Sequence, residues 1–198
     1  MRKKFCNLFL TIACFMLSAS YSLAAPNNLH LIDEDKNTGF QIYRSGRPYV
    51  GAKRELRKWC RMGISEVFVL SGNGDKVEIK KQKACPGLKV QYDERQYINS
   101  NVTTDFLRQF DEWVLDAQAK GKKILFRCNC GCHRTGRLAA YYRMRFNQWS
   151  AQDAIQEMLD LGKFMKQHPM LPPQVRALEE YILGKPCSQL QKHCVVTH

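Results

Sequence analysis

The sequence predicts an α/β chain in three layers, a central, mostly parallel sheet flanked by helices. Three observations predict it. Short apolar runs of strand length alternate with longer stretches whose apolar residues recur every three or four positions, the order expected of a sheet covered by helices. One such run, Ile124-Leu125-Phe126, feeds a tight loop and then the apolar helix start Leu138-Ala139-Ala140-Tyr141-Tyr142. Hydrophobic residues make up 44% of the 198 residues with no second break in composition, which suggests one domain.

Residues 1–24 read as a secretory signal peptide. Arg2-Lys3-Lys4 is a charged start, residues 5–17 are largely apolar, and Ser22-Leu23-Ala24 offers small residues at a cleavage site. Cleavage is expected after Ala24. The apolar run is shorter than the ~20 residues of a membrane span, so no stable membrane insertion is expected afterwards. A lipoprotein reading through Cys14 fails because Thr11 stands where a Leu-like residue is required. Residues 25–39 are polar and read as an exposed N-terminal arm.

Phe40-Gln41-Ile42-Tyr43 alternates like a strand, and residues 54–62 form a short helix stopped by Gly63. Residues 65–70 are a buried-strand candidate closed by the turn residues 71–75. Residues 76–83 are a charged run that reads as a solvated helix face. Residues 87–92 form the next strand and deliver Asp93 and Glu94 to its C-terminal end, where ligands of open α/β sheets collect. From Thr104, the apolar positions Phe106, Phe110, Trp113, Val114 and Ala117 have helical spacing, with Gly121 just past the end. Residues 122–126 then form the central strand. Ser150 and Asp153 make a capping box for a helix reaching about Leu161 and stopped by Gly162. Pro172-Pro173 opens the last helix, which Gly184 ends, and residues 185–198 are a cysteine-containing tail.

The chemistry gathers at Cys128-Asn129-Cys130-Gly131-Cys132-His133-Arg134-Thr135-Gly136. Backbone N–H groups in a loop feeding a helix N-terminus point inward and form a cradle for an anion, here a phosphate held by residues 129–134. Five residues separate Cys128 from Arg134, which lets the thiol lie under the cradle while the planar guanidinium grips two phosphate oxygens. The helix dipole, the N–H groups and Arg134 all favour an anionic sulfur, so the Cys128 pKa is expected in the range ~3.5–7.5. Gly131 allows the sharp turn, and the Thr135 hydroxyl can donate to the thiolate as it departs.

This Cys-x5-Arg-Thr-Gly signature in a strand-loop-helix setting resembles that of the protein tyrosine phosphatase superfamily. Ile42-Tyr43-Arg44-Ser45-Gly46-Arg47-Pro48 and Trp149-Ser150-Ala151-Gln152-Asp153-Ala154-Ile155-Gln156-Glu157-Met158 resemble flanking regions of its small dual-specificity and bacterial members. The likeness covers roughly residues 40–165. It implies a phosphatase fold, a phosphatase domain over residues 40–184, and hydrolysis of a phosphate monoester through a cysteinyl-phosphate intermediate without a metal or organic cofactor. Cys128 would be the nucleophile, and Arg134 with the loop N–H groups of Asn129, Cys130, Gly131, Cys132 and His133 would hold the phosphate. Asp93, 35 residues before Cys128, lies close to where the resembled enzymes carry their general acid, with Glu94 and Asp105 as reserves. The chain departs from the pattern at Arg127, where members usually carry His, and at the extra thiols Cys130 and Cys132.

The formal charge of +13 falls to +10 when residues 1–24, with Arg2, Lys3 and Lys4, are removed. That balance steers anions toward the protein, and the expected partner is a phosphorylated protein or a small phosphomonoester rather than nucleic acid. Export to a periplasm or the cell exterior permits disulfides. Cys187 with Cys194 and Cys60 with Cys85 are possible pairs, which spacing alone leaves open. Two other readings stand beside the enzyme: a catalytically silent phosphate-binding module, and a metal- or redox-binding protein using the Cys128-Cys130-Cys132-His133 cluster.

Overall fold

A computed structural model describes residues 26–48 and 51–197; the expected signal peptide lies outside them. Five strands form one sheet in the order β1-β2-β5-β3-β4, comprising β1 (His30–Asp35), β2 (Phe40–Ser45), β3 (Ile64–Val69), β4 (Lys89–Asp93) and β5 (Lys123–Arg127). β1 pairs antiparallel with β2, and the other pairings are parallel. The α/β expectation thus holds. The exposed arm over residues 25–39 does not, because it contains an edge strand. Only Ile32 of β1 is buried, and charged side chains on an edge strand discourage pairing with other chains, which gives the segment the composition of a loop. Asp33 of this strand accepts from Tyr142 Oη at 2.8 Å and from Asn147 Nδ2 at 2.7 Å.

Strand side chains alternate between two cores. Ile42, Phe68, Ile124 and Phe126 point to one face, covered by α2 (Thr104–Ala119), α3 (His133–Asn147), α4 (Ala151–Asp160) and α5 (Leu171–Ile182). Tyr43, Val67, Val69 and Leu125 point to the other, against Leu56 and Trp59 of α1 (Ala52–Arg61). The caps follow the sequence signals. Thr103 Oγ1 accepts from Phe106 N at 3.2 Å at the start of α2, and Ser150 and Asp153 form the capping box of α4.

Residues 76–83 are not a solvated helix face. They fold as a five-residue π turn, Asp75–Ile79, and a 3-10 turn, Gln82–Ala84, and the π turn buries Val77 and Glu78. Cys60 is disulfide-bonded to Cys85, and Cys187 to Cys194. The tail packs on the entry to α2: Thr104 N donates to Val196 O at 2.9 Å, and Asn101 Nδ2 to the carbonyls of Gln191 and Cys194, both at 2.8 Å. Among the described residues no helix is long and apolar enough to cross a membrane.

Candidate active site

Parallel strands and the helices that follow them bring the C-terminal ends of β2, β3 and β5 to one edge of the sheet, and the 128–132 loop lies there between β5 and α3. Gly131 has φ +73°, and a Cβ there would lie 2.6 Å from Gly46 N and 2.7 Å from Ser45 C, so only glycine fits. The loop is held from three sides. Gly131 O accepts from Arg44 Nη2 at 2.7 Å and from Asn28 Nδ2 at 2.8 Å. Arg47 N donates to Asn129 O at 2.9 Å, and Asn73 Nδ2 donates to Asn129 Oδ1 at 3.0 Å.

Among the described residues no protein acceptor takes the N–H groups of Cys130, Gly131, His133 and Arg134. These are the unpaired donors expected where a loop becomes a helix. Cys128, at the start of the same loop, is 1% exposed. Arg134 is partly buried at the start of α3, and its Nη1 donates to Leu70 O at 3.1 Å. A cleft of about 510 Å³ opens beside Arg134.

The three thiols differ. Cys130 is exposed, whereas Cys128 and Cys132 are buried. The expected low Cys128 pKa is not found in this loop geometry: the neighbouring Cys130 thiol, then burial, push it up to about 12, and Thr135 opposes them. Cys132 goes the other way, to about 7, mainly through its hydrogen bond with Cys130. Cys130 Sγ also accepts from Cys132 N at 3.1 Å and lies 3.6 Å from His133 Nδ1. His133 Nε2 is 2.8 Å from Lys163 O. Among the described residues no set of three or more His, Cys, Asp or Glu side chains could hold a metal ion, so the cysteine cluster offers no ligand set for the metal reading.

Asp93 is not brought into the cleft. Its oxygens accept from Gly74 N at 2.8 Å and from Asp75 N at 3.2 Å, so the carboxylate caps the turn that carries Glu78. Glu94 is exposed and 3.4 Å from Tyr92 Oη, and Asp105 pairs with exposed Arg108 on α2.

Three functional neighbours escaped the sequence reading of roles. Arg127 is fully buried and ion-paired with Glu78, its Nε 2.6 Å from Glu78 Oε1, and its Nη1 reaches Ser71 Oγ at 2.9 Å and Asn73 Oδ1 at 2.8 Å. Arg44 is buried beneath Gly131 with Nε and Nη1 unpartnered; burial lowers its pKa, while the charges of Glu157 and the loop thiols oppose that. Arg137 is lowered to about 10 by burial and by Arg134. It binds Gln174 Oε1 at 2.7 Å and Tyr97 O at 3.3 Å, and so fixes the cleft wall. The signal for these was present: arginines at apolar-face positions of strands and of α3 require buried partners.

The family profile "Dual specificity phosphatase, catalytic domain" matches residues 49–181. The chain belongs to this family. It is a cysteine-based phosphatase domain of the protein tyrosine phosphatase type. A curated relative, the RNA/RNP complex-1-interacting phosphatase homolog of Caenorhabditis elegans, is 34% identical over 86 residues, 43% of this chain and 33% of that protein's length. Among solved structures, TpbA of P. aeruginosa aligns with a TM-score of 0.56 at 20% identity, covering 77% of this chain and 96% of that one. The core catalytic domain of the PP-IP phosphatase SIW14 from S. cerevisiae aligns with a TM-score of 0.61 at 22% identity, covering 78% and 87%. These structures share the fold.

Proposed function

We propose that this protein hydrolyses phosphate monoesters through a cysteinyl-phosphate at Cys128, on phosphorylated proteins of the phosphotyrosine or dual-specificity kind or on small phosphomonoesters. The observation that carries the reading is the set of unpaired N–H groups of Cys130, Gly131, His133 and Arg134 in the loop that begins at the buried Cys128. The Cys128 thiolate, its proton gone to solvent, attacks phosphorus; the S–P bond forms as the ester O–P bond breaks. Arg134 and the loop N–H groups hold the equatorial oxygens, where charge is greatest in the transition state. Water then attacks phosphorus, releases phosphate and returns the thiolate, to which the Thr135 hydroxyl donates.

The test is para-nitrophenyl phosphate turnover with acid-quenched mass spectrometry of the intact protein. A +80 Da adduct on Cys128 in wild type and its loss with turnover in Cys128→Ser support the reading. Turnover by Cys128→Ser at the wild-type rate sinks it. A catalytically silent phosphate-binding module would retain phosphate in a binding assay and give no turnover.

The leader-like residues 1–24 and the pairs Cys60–Cys85 and Cys187–Cys194 support export to an oxidising compartment. N-terminal sequencing of the protein recovered outside the cytosol checks this, with a start at residue 25 as the expected result.

A further inference from the structure

No carboxylate lines the cleft beside Arg134 among the described residues. One wall is Arg95, Gln96, Tyr97 and Ser100, and the other is Gln167 and His168, with apolar and amide side chains between. The three acids near enough in sequence to reach it are engaged elsewhere: Asp93 by two backbone N–H groups, Glu94 beside Tyr92 Oη, and Asp105 by Arg108. Gln96 lies beside Arg134 in that lining. Its backbone N–H and the Arg134 guanidinium both donate to Leu70 O, each at 3.1 Å, and its amide nitrogen donates to Tyr92 Oη. An amide has no proton to give at neutral pH. His168 is the imidazole of the cleft lining, and burial, then His133, whose ring centroid is 3.9 Å away, lower its pKa and favour its uncharged form.

Resting on the catalytic reading above, we propose that the leaving group departs from Cys128-bound phosphorus without a proton from the protein, and that Gln96 thereby sets substrate choice. The Cys128 sulfur forms its bond to phosphorus, the O–P bond breaks, the oxygen keeps the electron pair, and the resulting anion is protonated afterwards by solvent. Such a site favours leaving groups that are stable anions: the phenolate of an aryl phosphate, with a pKa of about 10, or the phosphate of an anhydride. Alkoxides, nearer the ~15.7 of water, leave slowly. Positioned acids contribute ~10²–10⁴-fold, and that is the discrimination expected between phosphotyrosine and phosphoserine peptides of one sequence.

The experiment measures kcat/KM for a series of aryl phosphates of varied phenol pKa, and for paired phosphotyrosine and phosphoserine peptides, with wild type, Gln96→Asp and Asp93→Asn. Wild type should fall steeply as the phenol becomes more basic and should favour phosphotyrosine by at least ~10²-fold. Gln96→Asp should flatten that dependence, raise phosphoserine turnover and add a fall in rate as pH rises through the pKa of the new acid. Asp93→Asn should keep the wild-type slope, its folding checked by circular dichroism. A shallow dependence in wild type, or a slope that steepens in Asp93→Asn, overturns the inference while leaving the cysteine mechanism intact. The wild-type series decides the matter even where Gln96→Asp fails to fold. Absence of turnover on every phosphate, para-nitrophenyl phosphate included, overturns the catalytic reading and this inference with it.

Discussion

At Cys128, one neighbouring sulfur outweighs the features of the loop that favour an anion. The largest cause of its raised pKa is the Cys130 thiol, ahead of burial, so removing that thiol should move the Cys128 pKa down. Turnover by a thiolate rises as pH climbs through this pKa. Cys130→Ser should therefore shift the rise in the kcat/KM profile to lower pH and increase the rate at neutrality, measured with para-nitrophenyl phosphate. A profile unchanged from wild type means that Cys130 does not set the thiol. Spacing located Cys128, Arg134 and Gly131, because a short strand-loop-helix leaves little choice of where they go. It misjudged the thiol's ionisation, which depends on which side chain turns inward, and it assigned Asp93 to proton transfer when local backbone donors at Gly74 and Asp75 had already claimed the carboxylate.

At the scale of elements, Arg127 explains itself once β5 is seen edge-on. Alternation sends Phe126 toward α2 and α3 and turns Arg127 to the face carrying the π turn, where Glu78 meets it with both side chains buried. Breaking a fully buried ion pair by removing one partner costs about 3–5 kcal/mol. Arg127→Met should lower stability by that amount in urea melts, and Arg127→Met/Glu78→Leu should recover most of it. Equal losses for single and double variants refute the pairing. Helix ends and the central strands were legible because caps, glycines and apolar alternation act over a few residues. β1 and the π turn were not, since a polar edge strand and a charged run owe their shape to what they pack against: Tyr142 and Asn147 in one case, Arg127 in the other.

Across the whole molecule, one covalent tie fastens the segment before β4 to α1, and a second closes the tail on itself. The Cys60–Cys85 bridge spans 25 residues, and closing a loop of that length in the unfolded chain stabilises by about 3 kcal/mol; the 7-residue Cys187–Cys194 loop contributes less. Cys60→Ser/Cys85→Ser should accordingly lose more thermal stability than Cys187→Ser/Cys194→Ser in calorimetry, and dithiothreitol should bring wild type toward the sum. The tail bridge has a second expected readout, because Asn101 and Thr104 at the end of the cleft loop bind the tail backbone. Its loss should raise KM more than it lowers kcat.

The clasp on Gly131 ties the segment before β1 to the phosphate loop. Asn28 Nδ2 joins the Gly131 and Leu161 carbonyls, at 2.8 and 3.0 Å, and Asn27 O accepts from Gly46 N at 2.6 Å, all upstream of residue 49 where the family match begins. A polypeptide starting at residue 30 keeps every strand and loses these bonds. It should fold, yet turn over para-nitrophenyl phosphate more slowly than one starting at residue 25; equal rates would show the clasp to be idle. Loss of Asn27 and Asn28 would then slow turnover without removing a strand.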